Sequence, residues 1–283
     1  MGLGATISRA LPERVKLMLY RLPIVTGAIR GALNFAAPPG LTEVRVTGGS
    51  LAGAILRLDL KREKYYWLGT DEPELQRAIK ELVTPGMTVY DVGANIGYFS
   101  LLLAAQVGNR GLVYAFEPLP SSIERPRDHV ALNGQLSLIT IVDRAVSDNC
   151  EEASFLIHGS HAMGKLEGSA GRDATYDESI EVASVSLDEF VFELGNPPPD
   201  VVKMDIEGGE VKAIPGMLRV LKERSPILLL ELHGPESAQI VWDVLEDCSY
   251  QVYRLVSGYP EIESREALPW KARILGSPNA DSI

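Results

Sequence analysis

The stretch Val89-Tyr90-Asp91-Val92-Gly93-Ala94-Asn95-Ile96-Gly97 constrains this chain more than any other part of it. An apolar run that ends on an acid, passes through small residues and re-emerges with helical periodicity is a strand, a tight turn and a helix. Glycine at Gly93 and Gly97 lets such a turn bring backbone N–H groups close to a ligand at the carboxyl end of the strand, where open α/β sheets bind cofactors. The next apolar run, Leu112 to Phe116, ends on Glu117 and Pro118, which places a carboxylate to accept hydrogen bonds from two ribose hydroxyls. The two segments together predict a cofactor with an adenosine part, held by Asp91, Gly93, Ala94, Asn95 and Gly97, with Glu117 on its ribose. Gly93 and Gly97 lack the third glycine of a dinucleotide fingerprint, which weakens an NAD-dependent oxidoreductase without removing it. A non-catalytic cofactor-binding regulatory protein is the other alternative.

The periodicity on either side extends this unit into an α/β fold. Strands are expected at 87–91, 111–116 and 138–142, with helices at 96–106 and 120–132 between them. The alternation returns with strand 201–204, helix 210–223, strand 227–232, helix 237–246, strand 251–256 and an apolar element at 272–275. Crossovers of this kind build a mostly parallel, Rossmann-like sheet. Residues 65–283 therefore read as one catalytic domain, interrupted at 153–190 by a polar insertion with strands near 154–157 and 181–184. Residues 1–64 read as an appended helical arm and a hairpin over 41–60, turning at Gly48-Gly49-Ser50. Tyr259 to Pro269, acidic and proline-containing, is expected on the surface.

Composition narrows the partners. The 283 residues carry 27 Lys and Arg against 38 Asp and Glu, a formal charge of -11 that repels a nucleic-acid backbone. The first 35 residues reverse this balance, with Arg9, Arg14, Lys16, Arg21 and Arg30 against Glu13 alone. Pro23 and Gly27 interrupt that arm, so it is expected to pack locally or to join two copies in a homo-oligomer, and peripheral membrane contact is disfavoured. Two cysteines and no long apolar stretch make a reducing, cytoplasmic setting the expectation.

Asp91 to Gly97, followed by Ala115-Phe116-Glu117-Pro118, resembles the S-adenosylmethionine-dependent methyltransferases of the FkbM family. Val185 to Phe190 and Val202-Lys203-Met204-Asp205-Ile206-Glu207-Gly208-Gly209-Glu210 resemble two further segments of that family. The matches run in order between Tyr65 and His233. The resemblance implies a class I methyltransferase fold, a seven-stranded sheet whose last strand is antiparallel, with S-adenosyl-L-methionine across its C-terminal edge. It implies O-methylation of a hydroxyl on a small-molecule acceptor such as a sugar or secondary metabolite. By position, Asp91 to Gly97 would surround the methionine, Glu117 and Pro118 would border the ribose, and Ala145, within Arg144 to Asp148, would border adenine. The chain departs from the family pattern by placing Pro126 inside the helix after Glu117, and by a second glycine in Glu207-Gly208-Gly209-Glu210.

Two strand ends supply candidates for chemistry on the acceptor. Asp205 closes one apolar strand, with Glu207 and Glu210 just beyond, and Leu228-Leu229-Leu230-Glu231-Leu232-His233 closes another. The two-residue strand period turns Glu231 and His233 to one face. Asp205, Glu231 and His233 are thus expected around the transferred methyl, as catalytic acid–base groups, as ligands of a divalent cation such as magnesium, or as a structural group. His158 and His161 in the insertion are competing bases.

Overall fold

Residues 39–158, 164–171 and 176–278 are described by the computed structural model. The basic arm and His161 lie outside the described residues, as does the side chain of His158. The boundary between two compact units falls between Gln76 and Arg77.

In the first unit, β1 (Leu41–Arg45) pairs antiparallel with β2 (Ile55–Asp59) as the expected hairpin. Leu56 and Leu58 alternate inward and are fully buried. The short helix α1 (Lys64–Leu68) follows and ends on Gly69 in the left-handed conformation. The next helix, α2 (Pro73–Leu82), contains the boundary.

The second unit is built on β3 (Thr88–Val92), α3 (Tyr98–Val107), β4 (Leu112–Phe116), α4 (Pro120–Leu132) and β5 (Ile139–Val142). After the insertion come β10 (Val201–Met204), β11 (Ile227–His233), α8 (Pro235–Asp247), β12 (Gln251–Arg254) and β13 (Lys271–Ser277). These seven strands form one sheet in the order β12-β13-β11-β10-β3-β4-β5. The pairs among β11, β10, β3, β4 and β5 are parallel, and β13 runs antiparallel to both of its neighbours. This is the class I methyltransferase topology, and the order changes direction between β3 and β10, where α/β sheets open a crevice at the strand ends. All four residues of β10 are buried, as a parallel strand covered on both faces requires. Tyr90, Tyr114, Phe116 and Phe190 meet edge to face or tilted behind that crevice.

The insertion is a sheet of its own. β7 (Glu152–His158) pairs antiparallel with β8 (Gly164–Leu166) and with β9 (Tyr176–Val185), and β9 pairs parallel with β6 (Ala145–Val146). Phe155, Ile157, Leu166 and Val182 close over Leu119 and Ala145 as a small apolar core. The helix α5 (Leu187–Phe192) leads back to β10, capped by Ser186, whose hydroxyl accepts from the backbone N–H of Glu189.

One helix differs from expectation. The helix expected over 210–223 is broken into α6 (Glu210–Ala213), a 3-10 turn at Pro215–Met217 and α7 (Leu218–Arg224). Pro215 has no N–H for the helical ladder. Gly216 lies so close to the insertion's entry strand that a Cβ there would stand 2.1 Å from the Ser147 carbonyl oxygen. Pro126, by contrast, sits inside α4 without ending it, buried against the cofactor turn: a Cβ on Gly97 would meet Pro126 Cβ at 2.9 Å. Among the described residues no helix is long and apolar enough to cross a membrane.

Candidate active site

The turn expected to hold the cofactor is braced from three sides. Gly93 and Ala94 donate their N–H groups to the Phe116 carbonyl. Gly93 has φ +81°, and a Cβ there would fall 2.0 Å from the Asp205 carbonyl oxygen, so only glycine lets β3 and β10 close up at this point. Asn95 also has a positive φ, 49°. The helix α3 begins at Tyr98, with Gly97 as an N-cap that makes no side-chain bond. The Asn95 N–H donates to Glu117 Oε2 at 2.8 Å, and the Leu119 N–H to Glu117 Oε1 at 3.0 Å. Burial raises the Glu117 carboxyl pKa, against the opposing pull of those two N–H groups and of Lys203. His129, fully buried on α4, bonds the Ile96 carbonyl at 2.7 Å through Nδ1. A cleft beside the turn is lined by Gly93, Phe116, Pro118, Ala145, Phe155 and Leu166, so the insertion supplies one of its walls.

Asp91 is placed differently from its neighbours in the turn. Its carboxylate is fully buried, accepts from the Ser100 hydroxyl at 2.6 Å and pairs with Lys203 Nζ at 3.0 Å. The same ammonium donates to the Gly93 carbonyl at 3.0 Å. Asp91 and Lys203 are register partners on β3 and β10, so one buried ion pair ties both strand ends to the turn. Lys203 escaped the sequence reading, although a lysine in the buried run Val201-Val202-Lys203-Met204 signals that an acid lies opposite.

The second cluster lies where β10 and β11 end. Asp205, Glu231 and His233 come together, with one candidate donor atom from each within 4.8 Å of the others. His233 Nε2 lies 3.3 Å from Glu231 Oε1, 3.6 Å from Glu207 Oε2 and 3.8 Å from Asp205 Oδ1. Its Nδ1 lies 3.4 Å from Glu210 Oε1. Glu210 is fully buried; it accepts from the Ile206 and Gly208 N–H groups at 3.3 Å each and from the Ser237 hydroxyl at 3.0 Å. It therefore braces the turn after β10 and orients the imidazole, beyond any effect on the helix dipole.

Access separates these groups. The His233 side chain is 1% exposed and that of Glu231 5%, whereas those of Asp205 and Glu207 are 28% and 32% exposed. Glu231 is held on both oxygens by cations from β13, Lys271 Nζ on Oε1 and Arg273 Nε on Oε2. Trp270 stands half-exposed beside them, edge-on to His233 with ring centroids 6.4 Å apart, and its carbonyl accepts the Gly234 N–H at 2.7 Å.

Charge follows from this packing. Burial raises the Asp205 carboxyl, outweighing the pull of Lys203, and Glu231 adds to the rise, bringing it to about 6. Burial also acts upward on Glu231, but its bonds to His233 and Lys271 and the charge of Arg273 carry it down to about 2. Burial acts downward on His233, and the carboxylates of Glu210, Glu231 and Asp205 reverse this and push it up to about 10. The imidazole is then a cation at neutral pH.

The family model of the methyltransferase FkbM domain matches residues 91–252. The hexuronic acid methyltransferase AglP of Haloferax volcanii is 25% identical over 236 residues, covering 80% of this chain and 84% of that protein. Among solved structures, a methyltransferase FkbM from Methylobacillus flagellatus aligns over 68% of this chain at 17% identity with a TM-score of 0.45, and this chain spans 43% of its length. A SAM-dependent O-methyltransferase from Thermotoga maritima aligns over 73% of this chain and 65% of its own at 15% identity with a TM-score of 0.43. The family match covers more than half of the sequence and takes in both strand-end clusters: the chain belongs to the FkbM family of S-adenosylmethionine-dependent methyltransferases.

Proposed function

We propose that this methyltransferase acts on a hydroxyl of a sugar or similar small molecule, and that Asp205 removes the hydroxyl proton. The observation that carries this reading is the position of Asp205. Its backbone touches the cofactor turn at Gly93, and its carboxylate is the most accessible of the three expected groups. A base must reach the proton it takes and be ionised near neutral pH while still basic enough to accept it, and a carboxyl near 6 suits the second demand. His233, buried and cationic, orients and balances the surrounding carboxylates; Glu231, capped by two cations, holds those cations in place.

The residues of the first cluster fit S-adenosyl-L-methionine. Each Glu117 oxygen accepts one N–H and keeps a lone pair for a ribose hydroxyl. Pro118, Ala145, Phe155 and Leu166 offer an apolar slot for a flat base. Asp91 acts through Lys203 on the shape of the turn. The bound cofactor supplies a methyl that is already electrophilic, so the protein's share is to align the acceptor oxygen, exclude water and take up a proton.

The likeness to a hexuronic acid methyltransferase points to uronic acids as the first acceptors to try. The test is methyl transfer to a panel of sugars with and without a carboxylate, in the wild type and in Asp205→Asn. Turnover should fall by about 10²- to 10⁴-fold in the variant while affinity for S-adenosylhomocysteine is kept. Unchanged turnover in Asp205→Asn rules out the proposed base.

One observation favours a second reading, a divalent cation at Asp205, Glu231 and His233: the closeness of their donor atoms. Transfer abolished by chelation and restored by magnesium would establish it.

A further inference from the structure

We propose that Lys271 is the cation of the acidic junction: its ammonium occupies the charge niche among Asp205, Glu207 and Glu231 that a divalent ion would otherwise take, and so keeps such ions out. The binding half of this proposal does not depend on the proposed function; its consequence for turnover rests on the reading of the junction as the acceptor site.

The pairing of β11 with β13 sets the arrangement. Glu231 lies opposite Arg273 and His233 opposite Lys271, and residues directly opposite in an antiparallel pair project to the same face. Both cations close on Glu231, one to each oxygen. Burial works against the Lys271 ammonium, but its bond to Glu231 and the charges of Glu231, Asp205 and Glu207 outweigh it and raise its pKa. A divalent ion bound here would need a Glu231 oxygen at about 2.0–2.6 Å, and the ammonium already stands against Oε1. A second observation marks the niche as built for positive charge. His233 Nε2 is buried and faces three carboxylates between 3.3 and 3.8 Å.

A tethered ammonium has an advantage over a free ion. It is covalently attached, so its effective local concentration is of order millimolar or higher whatever the surrounding medium contains. It also matches the local charge. Four carboxylates, Asp205, Glu207, Glu210 and Glu231, stand against Lys271, Arg273 and the imidazolium, because Lys203 is committed to Asp91. Removing Lys271 leaves that excess of negative charge one unit larger and frees Glu231 Oε1, the two conditions a divalent ion needs.

The experiment is a titration of the chelator-treated full chain with Mn²⁺, read by calorimetry and by the electron spin resonance of the free ion. Lys271→Met and Lys271→Gln should each bind Mn²⁺ at least ten-fold more tightly than the wild type, and Asp205→Asn in either background should abolish the gain. Lys271→Arg should behave as the wild type. Equal affinity in the wild type and the folded variants overturns the proposal, as does the absence of binding to all of them. Micromolar Mn²⁺ binding by the wild type overturns it without any variant. Methyl transfer is a separate readout. Wild-type transfer should be indifferent to chelation, and transfer by Lys271→Met should recover on adding Mn²⁺. No transfer by the wild type to any hydroxyl acceptor would count against the proposed function, while the titration would still decide the role of Lys271.

Discussion

A lysine in the middle of a buried strand has to be answered by a charge, and Lys203 is answered by Asp91. Breaking a buried pair by removing one partner leaves an uncompensated charge and costs about 3–5 kcal/mol. Lys203→Met should therefore lose about that much stability in urea unfolding, and adding Asp91→Asn should recover more than half of the loss. Additive losses in the double variant would show that the two residues do not act as a pair. Glu117 calls for the opposite kind of test, because its bonds go to backbone that a ligand would share. Glu117→Ala should weaken binding of S-adenosylhomocysteine by about 1–3 kcal/mol, roughly five- to 150-fold, in calorimetry. Unchanged affinity in a folded variant would remove Glu117 from the ribose. At this scale the sequence was informative where side chains follow a local period. Asp205, Glu231 and His233 could be grouped because each stands at the end of an apolar run. Lys271 and Arg273 could not, since only the pairing of β11 with a strand forty residues away brings them to Glu231.

The elements around the cleft depend on close backbone approaches as much as on apolar faces. The break between α6 and α7 lets Gly216 rest on the Ser147 carbonyl, which joins the helical side of β10 to the start of the insertion. Gly216→Ala should force that contact apart and cost about 1–3 kcal/mol in thermal or urea unfolding. A neutral substitution would mean that the chain yields there, and that the insertion is not anchored through this point. The same contact explains what could be read beforehand and what could not. The strands of the main sheet were legible because parallel strands buried on both faces are unbroken apolar runs, and the last antiparallel strand followed from the family resemblance. The helix over 210–223 was read as continuous because its apolar spacing persists through Pro215-Gly216. Pro215, with no N–H for the ladder, interrupts it, and Gly216 then rests against residue 147, distant in sequence. The insertion was recognised as a departure from alternation, but its long strand β9 and its share in the cleft depend on pairings among polar residues that periodicity does not encode.

Over the second unit as a whole, the strand-end charges make stability a function of pH, and the sign differs from group to group. Glu231 is held down to about 2 in the fold, so its contribution is present above its unfolded value near 4.5 and is lost as pH falls toward 2. Asp205 is raised to about 6, so the fold favours its protonated form, and stability from this group is lost as pH rises from about 3.8 to 6. These two opposing trends overlap in the acid range and partly offset each other. His233 acts at higher pH. Raised from 6.5 to about 10, it contributes stability that is complete below 6.5 and is lost as pH rises through 10. The cysteines, whose shifts are upward from 9.0, act in the same direction, beginning around their unfolded value. Between pH 6.5 and 9 the raised His233 pKa makes stability fall as pH rises. Urea unfolding at pH 6.5 and pH 9 should show the wild type less stable at the higher pH, and His233→Gln, less stable throughout, should show little change between the two. A pH dependence as steep in His233→Gln as in the wild type would mean that the imidazole is not the cation its four carboxylate neighbours require.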